Sequence, residues 1–262
     1  MRMRIVAITG ASAGIGRATA LRLARTGDAL VMCARRKERL NAVADEVRAA
    51  GGQAVPVVAD VTRVEDMERL AATAVDRFGR LDVMMCNAGF GIAGAIDDIT
   101  PDQMRALMDI NYMGTFFAAR AAMPIFRRQG AGHVIVVSSI VGKRGVPYMG
   151  AYSATKFAQV GLAECLRAEV SGSNVHVTVV YPVSTDTEFF DVMSRETGTT
   201  VTRAAGPRQD AGVVGDAIAR AIDHPVPEVF PHIKSRALVW ANAFVPGWTD
   251  RVVKRFGRKP LR

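Results

Sequence analysis

Arg4-Ile5-Val6-Ala7-Ile8-Thr9-Gly10-Ala11-Ser12-Ala13-Gly14-Ile15-Gly16 is the stretch that decides the fold. Its first half is a short apolar run with β-branched residues, bounded by glycine, which reads as a buried strand. From Ile15 to Thr26 apolar residues recur at helical spacing. A strand that enters a helix through a glycine-rich turn opens a β-α-β unit. The turn has the spacing Gly-x-x-x-Gly-x-Gly, with Gly10, Gly14 and Gly16 in the glycine places. Such a loop turns tightly and lets the backbone approach a pyrophosphate, whose charge is favoured by the amide groups and dipole at the helix N-terminus. Ser12 and Ile15 fall in the same loop. The basic residues ahead of this strand do not make a signal peptide, because the apolar run is five residues long and ends in the turn.

Outward from this unit the pattern repeats. Apolar runs at Arg4–Thr9, Ala29–Ala34, Gln53–Val58, Leu81–Cys86, His133–Ser138 and Val175–Tyr181 alternate with helical periodicity over Ile15–Thr26, Arg36–Ala50, Val64–Phe78, Pro101–Arg128 and Ser153–Ser171. Nearly continuous apolar strands separated by helices predict an α/β fold, a Rossmann-like doubly wound parallel sheet covered on both faces. Thr100 before Pro101 predicts a helix N-cap, and Gly27, Gly51, Gly79 and Gly130 follow helical segments as left-handed caps. Beyond Tyr181 the pattern loosens over 184–206, and a helix is predicted over Asp210–Asp223.

A chain of 262 residues, 49% hydrophobic and 23% charged, suits a single domain, residues 1–262, able to bury its own core. Cys33, Cys86 and Cys165 lie in apolar surroundings and form no ligand cluster; they read as reduced core thiols of a cytoplasmic protein, with no metal site. No apolar stretch reaches the ~20 residues a membrane span needs. The net charge is +9, and residues 201–262 hold 11 Lys/Arg against 5 Asp/Glu. The basic end from Arg251 onward reads as a solvated tail ahead of an anionic membrane surface, nucleic acid or acidic substrates.

In doubly wound sheets ligands bind at the carboxyl ends of the strands. The second strand ends in Ala34-Arg35-Arg36-Lys37, where a cofactor lacking a 2′-phosphate would be met by a carboxylate. Guanidinium groups bind a phosphate through paired donors, so Arg35 and Arg36, with the Ser12 hydroxyl, favour NADP(H). Asp60 and Val61 after the third strand suit an adenine; Asn87-Ala88-Gly89 after the fourth offers close backbone approach to the adenosine ribose. Turn chemistry alone would also explain Asp60 and the Asn-x-Gly.

Ser138-Ser139 closes the fifth strand, and Tyr152-Ser153-Ala154-Thr155-Lys156 opens the next helix. Tyrosine and lysine four apart share a helical face, about 5–6 Å between Cβ atoms. An ammonium beside a phenol of pKa ~10, together with the positive nicotinamide of an oxidised coenzyme, favours the phenolate, so the expectation is an acidified Tyr152.

Together these motifs resemble the short-chain dehydrogenase/reductase family over about residues 4–190: TGASAGIG (9–16), DVT (60–62), NAG (87–89), Asn111, Ser139 and YSATK (152–156), in family order. The resemblance implies that Tyr152 passes a proton to or from the substrate oxygen, that Ser139 orients that oxygen, and that Lys156 binds the nicotinamide ribose and lowers the Tyr152 pKa. It further implies that Asn111 helps hold a water passing protons to Lys156, and that Pro182, Thr185 and Thr187 meet the nicotinamide end of the coenzyme. The expected activity is interconversion of a hydrophobic ketone or aldehyde and its alcohol, in a homodimer or homotetramer; the alternative is a non-catalytic NADP(H)-binding sensor.

Two places depart from the family pattern: Cys86 stands where a second asparagine is usual, and Val183 follows Pro182 in place of glycine. Residues 184–206 are expected to form a flap over the substrate, with Phe189, Phe190, Val192 and Met193 apolar and Phe90, Ile92, Val146 and Tyr148 on the opposite wall. Lys143 and Arg144 would attract an anionic substrate if free. The segment 235–262 carries Leu238, Trp240, Phe244, Trp248, Val252, Val253 and Phe256 beside the basic tail. Covering the pocket or contacting a neighbouring subunit ranks ahead of peripheral membrane binding for this piece. No nucleic-acid module is present.

Overall fold

The computed structural model describes residues 2–198, 200–201 and 208–254. Its elements are β1 (Ile5–Thr9), α1 (Gly14–Ala24), β2 (Ala29–Ala34), α2 (Lys37–Ala49), β3 (Gln53–Val58), α3 (Val64–Phe78), β4 (Val83–Cys86), α4 (Pro101–Leu107), α5 (Gly114–Gln129), β5 (Gly132–Val137), α6 (Gly150–Glu169) and β6 (Val175–Val180). The chain continues through β7 (Ser184–Asp186), α7 (Phe189–Thr197), β8 (Arg208–Asp210), α8 (Ala211–Asp223), β9 (Glu228–Val229), α9 (Ser235–Phe244) and α10 (Pro246–Val253).

Among the described residues seven strands form one parallel sheet in the order β3-β2-β1-β4-β5-β6-β9, a Rossmann-like doubly wound arrangement. The alternation of side chains explains why both faces are apolar. Ile5 and Ala7 of β1 join Leu70 of α3, Phe126 of α5 and Val160 of α6 in one layer. Val6 and Ile8 face the other way, onto Leu23 of α1, Leu40 of α2 and Ile218 of α8. Strand order reverses between β1 and β4, which opens a crevice at their carboxyl ends.

Thr100 caps α4 as predicted, with a reciprocal bond pair to Gln103, and Gly79 and Gly130 end their helices in the left-handed conformation. The predicted single helix over Pro101–Arg128 is instead interrupted: Met108–Met113 is π-helical between α4 and α5. This insertion frees backbone groups in mid-helix, and it carries Asn111. The helix expected from Ser153 begins at Gly150, so Tyr152 lies in its first turn. Cys33 and Cys86 are buried as expected, whereas Cys165 is exposed. Among the described residues no helix is long and apolar enough to cross a membrane.

Candidate active site

The loops after β1, β2, β4, β5 and β6 open on one cavity of about 890 Å³, closed on its outer side by α7, α9 and α10. At its inner end the glycine loop is held by hydrogen bonds from outside itself. Asn87 Nδ2 donates to the carbonyls of Thr9 (2.9 Å) and Gly10 (3.2 Å), and Thr9 Oγ1 accepts from Asn87 N and Ala88 N. A side chain at Gly16 would run into the Gly10 carbonyl and lie 2.7 Å from Asn87 Nδ2, so only glycine allows the loop to close there. Gly14 has φ +54 and faces Thr187 of the β7–α7 turn. This backbone cradle has the shape a pyrophosphate requires at a helix N-terminus.

Asp60 is largely engaged in its own turn, where Oδ1 accepts from Thr62 N at 3.0 Å and from Thr62 Oγ1 at 2.9 Å, while Oδ2 lies 3.9 Å from Arg35. Arg35, Arg36, Asp60, Val61, Ala88 and Gly89 all border the cavity. Arg36 reaches Ser12 Oγ at 3.4 Å and pairs with Glu188, which also accepts from Arg39 at 2.6 Å. Sequence reasoning missed Glu188 and Arg39. Their meeting joins α2 to the start of α7, and no local motif announces it.

At the chemical end Ser139, Tyr152 and Lys156 come together. Ser139 borders the cavity beside Tyr152, and its Oγ lies 3.4 Å from both the Pro182 carbonyl and Val141 N. Lys156 Nζ donates to the Val137 carbonyl at 3.1 Å and stands 5.6 Å from the centre of the Tyr152 ring. Tyr152 is 7% and Lys156 3% exposed. Burial therefore governs both groups in the coenzyme-free chain, where the Tyr-Lys spacing alone does not acidify the phenol. Burial pushes the Tyr152 phenol up, opposed only by the Ser139 hydroxyl, and draws the Lys156 ammonium down to about 7. A lysine that loses charge this readily cannot by itself hold its neighbour acidic. The phenol remains protonated near neutral pH, the state a proton donor needs.

The unfolded chain keeps the Lys156 proton up to its ordinary value of 10.5, whereas the folded chain releases it from about 7. Between these values the unfolded state binds more protons, so stability rises with pH. Below that window the lysine is charged in both states and this contribution is flat. Lys156→Met is expected to be more stable than the parent at about pH 7, with the advantage shrinking towards pH 10. Urea unfolding of the coenzyme-free proteins across that range checks this, and a pH-independent difference contradicts it.

Asn111 is fully buried and its polar groups are almost all engaged. Nδ2 donates to the Phe90 carbonyl (3.0 Å) and to Thr155 Oγ1 (2.9 Å), while Oδ1 accepts from Phe90 N at 3.0 Å. Its backbone carbonyl accepts from Thr115 Oγ1 and from Gln159 Nε2, each at 2.8 Å. Gln159 was not singled out from the sequence, although it lies one turn beyond Lys156. A Cβ placed on Gly89 would lie 2.9 Å from Asn111 Oδ1 and 3.6 Å from Lys156 Nζ, so these two groups flank the same backbone point.

Val183 keeps a negative φ, since Tyr148 is the sole non-glycine residue with positive φ among those described; the path through Pro182-Val183 needs no glycine. Thr185 is buried and its hydroxyl donates to the Val183 carbonyl at 2.9 Å, whereas Thr187 lies over Gly14. The loose region after β6 contains β7 and α7, while residues 199 and 202–206 of the expected flap lie outside the described residues. The Phe189 ring packs 5.4 Å from that of Tyr152, and Met193 is buried against Gly91. Phe90, Val146 and Tyr148 line the facing wall, while Ile92 is buried behind it in the cluster that holds Tyr152.

Lys143 and Arg144 are not free to attract a substrate. Lys143 pairs with Glu228 at 2.6 Å and Glu164 at 3.5 Å, and Arg144 pairs with Asp250 of α10. That last pair ties α10 to the cavity, where Leu238, Val252 and Val253 form part of the lining. Trp240, Phe244 and Trp248 point to solvent, and Phe256 with the basic tail beyond Lys254 lies outside the described residues.

A family model described as short chain dehydrogenase matches residues 4–197. An uncharacterized oxidoreductase of Listeria monocytogenes is 35% identical over 231 residues, covering 86% of this chain and 92% of the relative. Among solved structures, a short chain dehydrogenase/reductase from Burkholderia phymatum in complex with NAD is 25% identical, with a TM-score of 0.83 over 99% of this chain and 98% of its own. A short-chain dehydrogenase from Sphingobium yanoikuyae in complex with NADPH is 28% identical, with a TM-score of 0.79 over 95% of this chain and 96% of its own. Solved neighbours of this fold thus hold nicotinamide coenzymes of both kinds.

Proposed function

The chain belongs to the short-chain dehydrogenase family and is an oxidoreductase of that family, and on that footing we propose that it is an NADP(H)-dependent enzyme interconverting a hydrophobic ketone or aldehyde and the corresponding alcohol. The observation that carries this reading is a cluster of buried Tyr152 and Lys156 with half-buried Ser139, facing the same cavity as the glycine loop and Arg36.

Gly10, Ser12, Gly14, Ile15 and Gly16 would hold the phosphates, with Arg35, Arg36 and Ser12 on the 2′-phosphate. Asp60 and Val61 would meet the adenine, and Asn87, Ala88 and Gly89 its ribose. Tyr152 and Lys156 would take the nicotinamide ribose, and Pro182, Thr185 and Thr187 the carboxamide end. Bound there, the coenzyme supplies or accepts the hydride at the carbonyl carbon.

The rest of the chemistry belongs to the chain. Tyr152, kept protonated by burial, gives its phenolic proton to the carbonyl oxygen during reduction. Ser139, which borders the cavity beside that phenol, orients the same oxygen. In the reverse direction Tyr152 must act as the phenolate and take the proton of the alcohol. Both lone pairs of the Asn111 carbonyl are taken by Thr115 and Gln159, so a water relaying protons to Lys156 would be held through Oδ1.

Phe90, Val146, Phe189, Phe190, Leu238 and Val252 give the cavity apolar walls and support a hydrophobic substrate. The cysteines, none of them in a disulfide, support the cytoplasm, and a homodimer or homotetramer is the expected assembly. A panel of ketones, aldehydes and alcohols followed by nicotinamide absorbance tests the proposal. Consumption of NADPH in preference to NADH with apolar carbonyls is expected; tight NADPH binding with no turnover of any compound would favour a sensor instead.

A further inference from the structure

Glu188 is the N-cap residue of α7, and its side chain turns away from the helix towards α2. Its carboxylate pairs with Arg36 and accepts from Arg39 Nη1 at 2.6 Å. The same Arg36 guanidinium lies 3.4 Å from Ser12 Oγ. Arg36 and Ser12 are the groups assigned above to the 2′-phosphate, so an anion supplied by the chain lies in the place intended for an anion of the coenzyme. The two arginines hold Glu188 firmly ionised, well below the usual carboxylate range.

From this geometry we propose that Glu188 is an internal competitor for the 2′-phosphate subsite, and so a residue that sets coenzyme affinity and preference; the inference rests on the NADP(H) reading. Carboxylate and phosphate both seek the paired donors of a guanidinium, and two anions on one guanidinium repel each other. A 2′-phosphate gains the paired Nη1 and Nη2 donors of Arg36 only by displacing Glu188. A coenzyme without that phosphate leaves the Glu188–Arg36 pair in place. The exchange reaches the chemical end of the cavity, because the next residue along the chain is Phe189, whose ring covers Tyr152.

The side chains of Arg36 and Glu188 are 43% and 33% exposed, so solvent screens the pair and the competition is moderate. Adenosine 2′,5′-bisphosphate carries the discriminating phosphate without nicotinamide, and 5′-AMP lacks it. Calorimetric titration of the coenzyme-free full chain with both compounds separates the roles. Glu188→Gln is expected to tighten the bisphosphate by about three- to tenfold and to leave 5′-AMP unchanged. Glu188→Ala, which removes the carboxylate by a different route, is expected to move affinity in the same direction.

Unchanged or weaker bisphosphate binding in both Glu188 variants, with Arg36→Ala still losing it, overturns the competitor role and leaves the NADP(H) reading intact. Equal tightening of 5′-AMP overturns it as well, since a general gain in positive charge would then be at work. Bisphosphate affinity unaffected by Arg36→Ala overturns the NADP(H) reading itself, and the inference falls with it.

Discussion

Tyr152→Phe is expected to lower turnover by about a hundred- to ten-thousandfold, the contribution of a well-placed proton donor. The substitution removes one oxygen and keeps the ring, which packs 5.4 Å from Phe189 and is buried beside Leu107 and Ile92. The fold and the coenzyme cradle should therefore be undisturbed. Burial argues that the phenol is the group at stake, since it holds the proton on Tyr152 until substrate oxygen takes it. Ser139 cannot substitute, because an alcohol is a far weaker acid than a phenol. Rates with NADPH and a working carbonyl substrate, together with coenzyme titrations, check this. A loss in turnover with coenzyme affinity preserved is expected; a variant as active as the parent would remove Tyr152 from the chemistry.

Replacing Arg35 and Arg36 together by alanine is expected to weaken NADPH by about a hundredfold, at ~1.5–3 kcal/mol for each hydrogen bond to a charged group. NADH should weaken by no more than a few-fold, having no 2′-phosphate to lose. Arg36 should carry the larger share, since Arg35 is the more exposed and its nearest carboxylate is Asp60 at 3.9 Å. Loss of Arg36 also leaves Glu188 with Arg39 alone, which adds repulsion against any phosphate approaching the loop. Binding curves for both coenzymes settle the matter: parallel weakening of the two would mean that the 2′-phosphate is read elsewhere.

Much of this arrangement was legible in the amino-acid order, for identifiable reasons. Strands such as Ala29–Ala34 are apolar at every position because both faces are covered, and their bounds emerged as expected. The Gly10–Gly16 loop could be read because close backbone contact admits glycine alone, as the Gly16 carbonyl contact demonstrates. Tyr152 and Lys156 could be paired because helical spacing puts them on one face. Their titration could not be read, because it depends on burial, a property of the assembled layers. The π-helical turn at Met108–Met113 escaped for a similar reason, since its sequence carries the same apolar period as the helices around it. Glu188 escaped because it meets Arg36 across 152 residues of chain. Lys143 and Arg144 looked free in sequence and proved to be paired by Glu228 and Asp250, also distant along the chain.

The most direct test follows the hydride. NADPH carrying deuterium at both C4 positions of its dihydropyridine ring would be incubated with the protein and an apolar ketone, and the alcohol analysed by mass spectrometry. One deuterium on the carbinol carbon per product molecule is expected with the parent protein, and almost no labelled product with Tyr152→Phe. Alcohol formed without deuterium on that carbon, or labelled product formed equally fast by the variant, would contradict a direct transfer completed by the Tyr152 proton.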